Sequence, residues 1–320
     1  MSKFVGRRGN LGAAKEATAG VIVTPTLYLP YNSISFDDKT STAREEEALG
    51  RIEDSDSNHV VNKFGEGDFE FDVTDKEIGL LLTSLFGASP VITGGPTYVH
   101  TYSLSNTNTH QSLSLAYQDP DQTKIFPYAV IDSLEFEVEP EGIVKATASF
   151  KSRISRDWTT LSATYTSLGN KFLHQHLIFK LAANTAALGA ATNISLKKLS
   201  LKIVANSDFD NVTGTAEPEA ILNHQFSVEG EITLNKNEDT YRDYMVDGTY
   251  RAMEATLSRS ATSSLQFQFP RVDFFEWEQD RGLNDIVGQT IQFKANYDAA
   301  NAVAAISTAI LTNLYAGTAY

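Results

Sequence analysis

Ile143-Val144-Lys145-Ala146-Thr147-Ala148-Ser149-Phe150-Lys151-Ser152 aligns without a gap on Ile286-Val287-Gly288-Gln289-Thr290-Ile291-Gln292-Phe293-Lys294-Ala295. Five of the ten positions are identical, and the apolar ones keep their phase. Alternation of this kind marks a half-buried strand. Upstream in each half, another alternating strand runs into a short helical stretch. In the first half Phe69, Phe71 and Val73 lead to Thr74-Asp75-Lys76-Glu77-Ile78. In the second, Gly230, Ile232 and Leu234 lead to Asn235-Lys236-Asn237-Glu238-Asp239. Agreement in order as well as in letters predicts an internal duplication. Two similar units in one chain can fill two equivalent places in a ring or array, which points to assembly before catalysis.

Outward from these strands the chain reads as mainly β. Asp68-Phe69-Glu70-Phe71-Asp72-Val73 alternates acidic with apolar residues, and so does Leu134-Glu135-Phe136-Glu137-Val138-Glu139. The latter turns at Pro140-Glu141-Gly142 into the strand 143–151. Thr74 or Asp75 can cap a helix over 76–86, with Ile78, Leu81, Leu82 and Leu85 on one stripe and Gly87 as its stop. The second half offers strands at 172–181, 194–204, 226–234, 249–258, 265–278 and 286–297, with a short helix near 239–246. Val303, Ile306, Ile310, Leu311 and Leu314 fall at helical spacing and predict a terminal helix. Residues 1–20 read as an extended N-terminal arm, and 21–31, with two prolines, as an edge strand. Residues 35–62 form a long polar loop, a feature that is usually functional or ordered by a partner. The expected organisation is an arm at 1–20, a first β domain at 21–160 and a second at 170–320, each domain with one short α-helix.

Composition narrows the function. A chain of 320 residues accommodates two domains of about 150 each. The absence of cysteine excludes a disulfide framework, a thiolate metal site and a cysteine nucleophile. The basic residues near the N-terminus have no apolar run behind them, and no stretch approaches the roughly 20 apolar residues of a membrane helix. The expectation is a soluble protein made in a cytoplasm. A formal charge of −14 argues against binding nucleic acid by phosphate neutralisation. It is compatible with DNA passing nearby, because a negative wall repels DNA and does not trap it.

Catalytic signatures are absent from the sequence, so neither an enzyme nor a cofactor is expected. There is no Gly-x-Ser-x-Gly elbow, no phosphate-cradling loop and no His-Glu-x-x-His. His174 and His176 share one face of an expected strand without a third ligand at metal-site spacing, and read as a surface or interface pair. Asp54-Ser55-Asp56-Ser57 lacks the spacing of a calcium loop. Phe274, Phe275 and Trp277 form the densest aromatic cluster, and alternation assigns Phe275 and Trp277 to the core. The acidic positions Asp68, Glu70, Asp72, Glu135, Glu137 and Glu139 run as ladders along strands, unlike the paired carboxylates of a glycosidase. Glu229 and Glu231, and Glu276 and Glu278, repeat the habit in the second half. These ten residues define an acidic sheet face, either a plain solvated surface or the lining of a lumen.

The opening of the chain carries a resemblance. Gly6-Arg7-Arg8-Gly9-Asn10-Leu11-Gly12-Ala13-Ala14-Lys15-Glu16-Ala17-Thr18-Ala19-Gly20, followed by Thr24-Pro25-Thr26-Leu27-Tyr28-Leu29-Pro30, resembles the start of the major tail tube proteins of long-tailed (siphovirus-type) bacteriophages. Glu45-Glu46-Glu47-Ala48-Leu49-Gly50, Phe64-Gly65-Glu66-Gly67 and the Leu-rich stretch from Ile78 to Gly87 continue the pattern to about residue 155. The resemblance implies tandem tail-tube-like β-sandwich or barrel units that polymerise into stacked rings around a DNA-conducting lumen. It implies that the acidic candidates face that lumen. Arg7 and Arg8 of the arm, and Arg44, Glu45, Glu46 and Glu47 of a long stacking loop, would contact the next ring. With duplication, three chains would make a pseudo-six-fold ring, a homotrimer; six chains per ring is the fallback. Expected partners are further copies of the chain and other tail proteins such as the tape measure and terminator, with DNA passing through unbound and no membrane involved. The virion tail is the expected location, with assembly in the host bacterial cytoplasm. The rival reading is an adhesive or carbohydrate-binding β-sandwich.

Overall fold

Lys145–Arg153 turns Ala146, Ala148, Phe150 and Ser152 into the core and leaves the residues between them toward solvent. Asn58–Asp72 holds it on one side and Thr123–Val138 on the other, both antiparallel. Gly288–Ala295 lies in the same way between Ser227–Asn235 and Ser263–Asp280. The computed structural model describes residues 5–48, 50–165, 168–283, 286–316 and 320. Residues 1–4 of the expected arm and Leu49 of the acidic segment lie outside the described residues.

From these two centres the halves run in the same strand order. In the first it is Asn10–Lys15, Leu113–Gln118, Thr123–Val138, Lys145–Arg153, Asn58–Asp72 and Asp37–Arg44. In the second it is Leu177–Ala182, Arg251–Ser260, Ser263–Asp280, Gly288–Ala295, Ser227–Asn235 and Lys198–Val204. Ala148 faces Phe69 and Ile291 faces Ile232, so Phe69 corresponds to Ile232. That is two residues on from the correspondence read in the sequence, but in the same phase. Both long strands pair with a different neighbour in each half of their length, which lets them pass between the two packed layers. The fold is mainly β, antiparallel and sandwich-like.

The first helix, Ile78–Phe86, is buried at every residue. The Thr74 hydroxyl accepts the Glu77 N–H at 3.3 Å one turn ahead of it. Gly87, at φ +82°, closes the helix by donating its N–H to Thr83 O. Its leucines each contribute about 1.5–3 kcal/mol of burial. Phe69, stacked on Phe150 with ring centroids 5.4 Å apart, continues the same core. The second helix, Thr240–Val246, buries only Tyr241 and lies against Ser263–Asp280.

Several expectations give way to the structure. Residues 10–15 are a sheet strand and not a free arm: Leu11, Ala13 and Ala14 are buried and pair with Leu113–Gln118. Their small side chains hide a strand from propensity but allow close approach; a Cβ at Gly12 would lie 2.8 Å from Pro25 Cβ. Pro25 and Pro30 cut the strand expected at 21–31 down to Leu27–Tyr28. The polar loop of 35–62 is largely a projecting hairpin, Asp37–Arg44 paired with residues 58–66. The terminal helix is a strand, Thr308–Asn313, whose buried residues alternate and which bridges Ser263–Asp280 to Tyr98–Tyr102 of the first half. His174–His176 is a 3-10 turn, in which His176 Nδ1 accepts from Leu173 N–H. Phe275 is 54% exposed, because a bulge between Phe274 and Glu276 breaks the alternation that assigned it to the core. Trp277 remains partly buried and donates to Gln289 Oε1 at 3.0 Å.

Candidate functional site

The two halves meet edge to edge. Lys198–Val204, the outer strand of the second half, pairs antiparallel with Thr123–Val138 of the first, with Lys202 opposite Glu135 and Ser200 opposite Glu137. The pairing makes one continuous sheet from Asp37–Arg44 through to Ser263–Asp280. Residues directly opposite in such a sheet share a face. Glu70 faces Thr147, which faces Glu135; Glu137 faces Ser200, which faces Glu231; Glu231 faces Gln292, which faces Glu276. All ten acidic candidates, Asp68, Glu70, Asp72, Glu135, Glu137, Glu139, Glu229, Glu231, Glu276 and Glu278, therefore lie along the same side of the sheet. The opposite side carries Phe136, Leu199, Leu201, Ile232, Ile291 and Phe293 into the core.

Lysines stand among these carboxylates, and the acid-ladder reading missed them. Lys198 Nζ reaches Glu137 at 2.7 Å and Glu139 at 3.0 Å, while Lys202 lies 3.7 Å from Glu135. Lys145 pairs with Glu70 at 3.0 Å, and Lys294 with Glu229 at 2.6 Å. Hydrogen bonding to Glu137 and Glu139 raises the Lys198 ammonium above its ordinary range, and Glu70 does the same for Lys145. Burial pushes the Asp72 carboxyl up, but bonds from Lys171 and Asn32 outweigh it and hold Asp72 below its usual value. Asp68 accepts from Ser149 Oγ at 2.8 Å. Among the described residues, no ion pair involves Asp68, Glu231, Glu276 or Glu278, and Glu137 and Glu139 share the single Lys198, so the face keeps a negative excess in both halves. The alternation Lys198-x-Ser200-x-Lys202 was the sequence signal that could have revealed the mixed character.

The other candidates fall into two separate places. Arg7 and Arg8 are exposed in the 3-10 turn Gly6–Arg8. Arg44, Glu45, Glu46 and Glu47 lead into the tip of the projecting hairpin, where Arg44 lies 3.7 Å from Asp54 and Glu45 meets His59. Residues 207–223, a shorter polar loop in the second half, fold back on the first, with Arg156 Nη2 2.6 Å from Glu217 Oε1 and the Phe64 and Phe209 rings 4.7 Å apart. Among the described residues no group of three or more His, Cys, Asp or Glu could hold a metal ion. No described helix is long and apolar enough to cross a membrane.

A family model described as phage tail tube protein matches residues 6–304. The chain belongs to the phage tail tube protein family. A comparison with curated proteins finds no match. The family assigns a structural role in the virion tail, as one of the proteins that build its tube. For a tube protein, the continuous sheet with one apolar and one charged side is the arrangement to account for. So are its two outer edges.

Proposed function

We propose that three chains close into a ring of six similar units and that these rings stack into the tail tube, with the acidic face lining the channel that conducts the DNA genome. The junction between Thr123–Val138 and Lys198–Val204 carries this reading, because it is a joint between two similarly ordered units made inside one chain. The corresponding edges at the ends of the sheet have no strand partner among the described residues: residues 273–280 on one side, Asp37–Arg44 on the other. Open edges favour pairing, and a closed ring uses them up. Transferring the internal register to the contact between chains sets Lys39 against Glu276 and Asp37 against Glu278. One attraction and one repulsion replace the lysine-rich internal joint, so the contact between chains is the weaker of the two.

A net negative wall keeps DNA from adhering within roughly a Debye length, about 8 Å at physiological salt. The projecting hairpin, with Arg44 to Glu47 near its tip, is suited to contacting the next ring, and Arg7 and Arg8 add a basic counterpart. Tape-measure and terminator proteins are the further partners of this reading, with assembly in the bacterial cytoplasm before incorporation into the virion. Electron microscopy of the purified protein, with mass measurement of single rings, tests it. Stackable rings of three chains are expected; rings of six chains would overturn the stoichiometry.

A further inference from the structure

The first half contains a slot that its own chain fills. Val73 N–H donates to Val144 O where the strands Asn58–Asp72 and Lys145–Arg153 come apart beyond their ends. Phe172 enters there, donating its N–H to Val73 O and accepting from Val144 N–H, both at 3.0 Å. Lys171 bridges to Thr74, and Leu173 to Ile143. Phe172 and Val144 are both fully buried as a result. The filling segment is the leader of the second half: it runs through the turn His174–His176 into Leu177–Ala182.

The second half has the corresponding slot. Lys236 N–H donates to Val287 O at 3.0 Å, matching Val73 and Val144. Among the described residues, no backbone group bonds to Val287 N–H or to Lys236 O. Val287 is 37% exposed where Val144 is 0%, and Ile286 beside it is 72% exposed.

The leader of the first half matches the segment that fills the occupied slot. Leu181 faces Met253 and Ala13 faces Leu115, which sets Leu173 in correspondence with Val5. Gly6–Arg8 is a 3-10 turn in the place of His174–His176. The residues ahead of the two turns are both extended, Val5 at φ −111° and Leu173 at φ −112°. By that register Lys3-Phe4-Val5 is the counterpart in sequence of Lys171-Phe172-Leu173. Lys3 and Phe4 lie outside the described residues.

We propose that Lys3-Phe4-Val5 of a second copy of this chain docks in the slot between Lys236 and Val287, with Phe4 covering Val287 as Phe172 covers Val144. This rests on the reading that chains join edge to edge as the halves do. The docked segment comes from the copy whose Asp37–Arg44 edge meets residues 273–280, so every joint in a ring carries the same clasp. Glu238, in the place of Asp75, receives the backbone ahead of Lys3 as Asp75 receives Asn170 N–H at 2.6 Å.

Ile143 and Leu173 form an antiparallel pair flanked, but not joined, by backbone hydrogen bonds, the type with close Cα atoms that suits a disulfide. Val5→Cys with Ile286→Cys transfers that pair to the contact between chains, in a protein with no other cysteine. Tubes of the double variant, identified in micrographs and oxidised, should give a closed covalent species of three chains on a denaturing gel, and neither single variant should. Normal tubes without the cross-link would overturn the clasp, and a ladder beyond three chains would overturn its place within one ring. Absence of tubes in the unmodified protein would count against the tube reading instead. Phe4→Ser supplies a second measurement, independent of oxidation. It should leave the melting temperature of the unassembled chain unchanged and raise the concentration needed for assembly about 10- to 100-fold, the loss of one buried phenyl. Unchanged assembly would overturn the proposal.

Discussion

Gly230 stands directly opposite Phe293, whose ring lies over the space a side chain at Gly230 would need: a Cβ there would come within 2.5 Å of Cζ and 2.4 Å of Ser200 O. Gly67 faces Phe150 at the matching position of the first half. At Gly230 the bare backbone leaves room for the ring of the next strand to lie over it. Gly230→Ala should therefore cost about 1–3 kcal/mol through overpacking, seen as a lowered thermal midpoint. Phe293→Leu in the same chain should recover part of that loss, because the two changes share one space. Simple additivity in the double variant would show that the ring is not the obstacle.

Glu16 is a buried carboxylate with a full set of donors. It accepts from Gly20 N–H at 2.7 Å, Tyr128 N–H at 2.9 Å, and the Ser112 and Ser114 hydroxyls, each at 2.8 Å. These bonds tie the first strand to the turn at Tyr128, which sits at φ +55°. Glu16→Ala strands two backbone donors in the interior and should cost about 3 kcal/mol or more in urea unfolding. Glu16→Gln should cost less, because the amide oxygen still accepts from one backbone N–H and one serine, and the serine beside the new NH2 can turn to accept from it, which leaves one backbone donor unpaired and not two. Equal losses for the two variants would mean that packing, and not hydrogen bonding, sets the effect.

What could be read in the letters and what could not divides along physical lines. The acid ladders and the repeated decapeptide were legible because period-two alternation is a direct image of a two-faced sheet. The same rule failed at Phe275, where one inserted residue reverses the phase and no letter marks it. The strand at 10–15 escaped because Gly12, Ala13 and Ala14 are poor strand formers, chosen by close packing against Pro25 and Tyr28. Thr308–Asn313 was misread because Ile306, Ile310 and Leu314 happen to fit a helix. Its buried set is Ala309, Leu311 and Asn313, the last held by its amide bond to Asp75 O at 2.7 Å. The joint between halves lay beyond sequence reading altogether, since strand neighbours are set by tertiary pairing.

Asp72 links stability to pH through the leader of the second half. Its carboxylate accepts from Lys171 Nζ at 2.6 Å and Asn32 Nδ2 at 2.9 Å, and its folded pKa lies below the ordinary 3.8. The contribution is complete above the unfolded pKa and is lost as pH falls through the lower, folded value. Asp72→Asn should thus be less stable than the parent at pH 7, by up to about 1 kcal/mol for so accessible a pair. The difference should narrow as pH falls below the ordinary 3.8. A gap unchanged at pH 2.5 would assign the loss to shape and not to charge.

Lys198 serves two carboxylates of the other half at once. Lys198→Ala should cost about 0.2–1 kcal/mol, and Lys198→Glu more, because it sets a third carboxylate beside Glu137 and Glu139. Added salt should narrow the difference between Lys198→Glu and the parent, since screening weakens repulsion between exposed charges. Thermal melts at low and high ionic strength test both points; a deficit that does not respond to salt would remove the electrostatic account.

The placement of the charged face in the assembled tube can be read with single cysteines, because the chain has none of its own. Glu231 and Glu276 lie on that face, and among the described residues neither has an ion-pair partner whose loss would confuse the result. Glu231→Cys and Glu276→Cys should react with a small maleimide in both free protein and tubes, since water and small solutes enter a channel. A maleimide carried on a streptavidin-sized protein should label the free chain but leave tube walls unlabelled, apart from the open ends visible in micrographs. Even labelling along the walls would put the acidic face outside, and with it would fall the repulsive lining as the reason for the ladders.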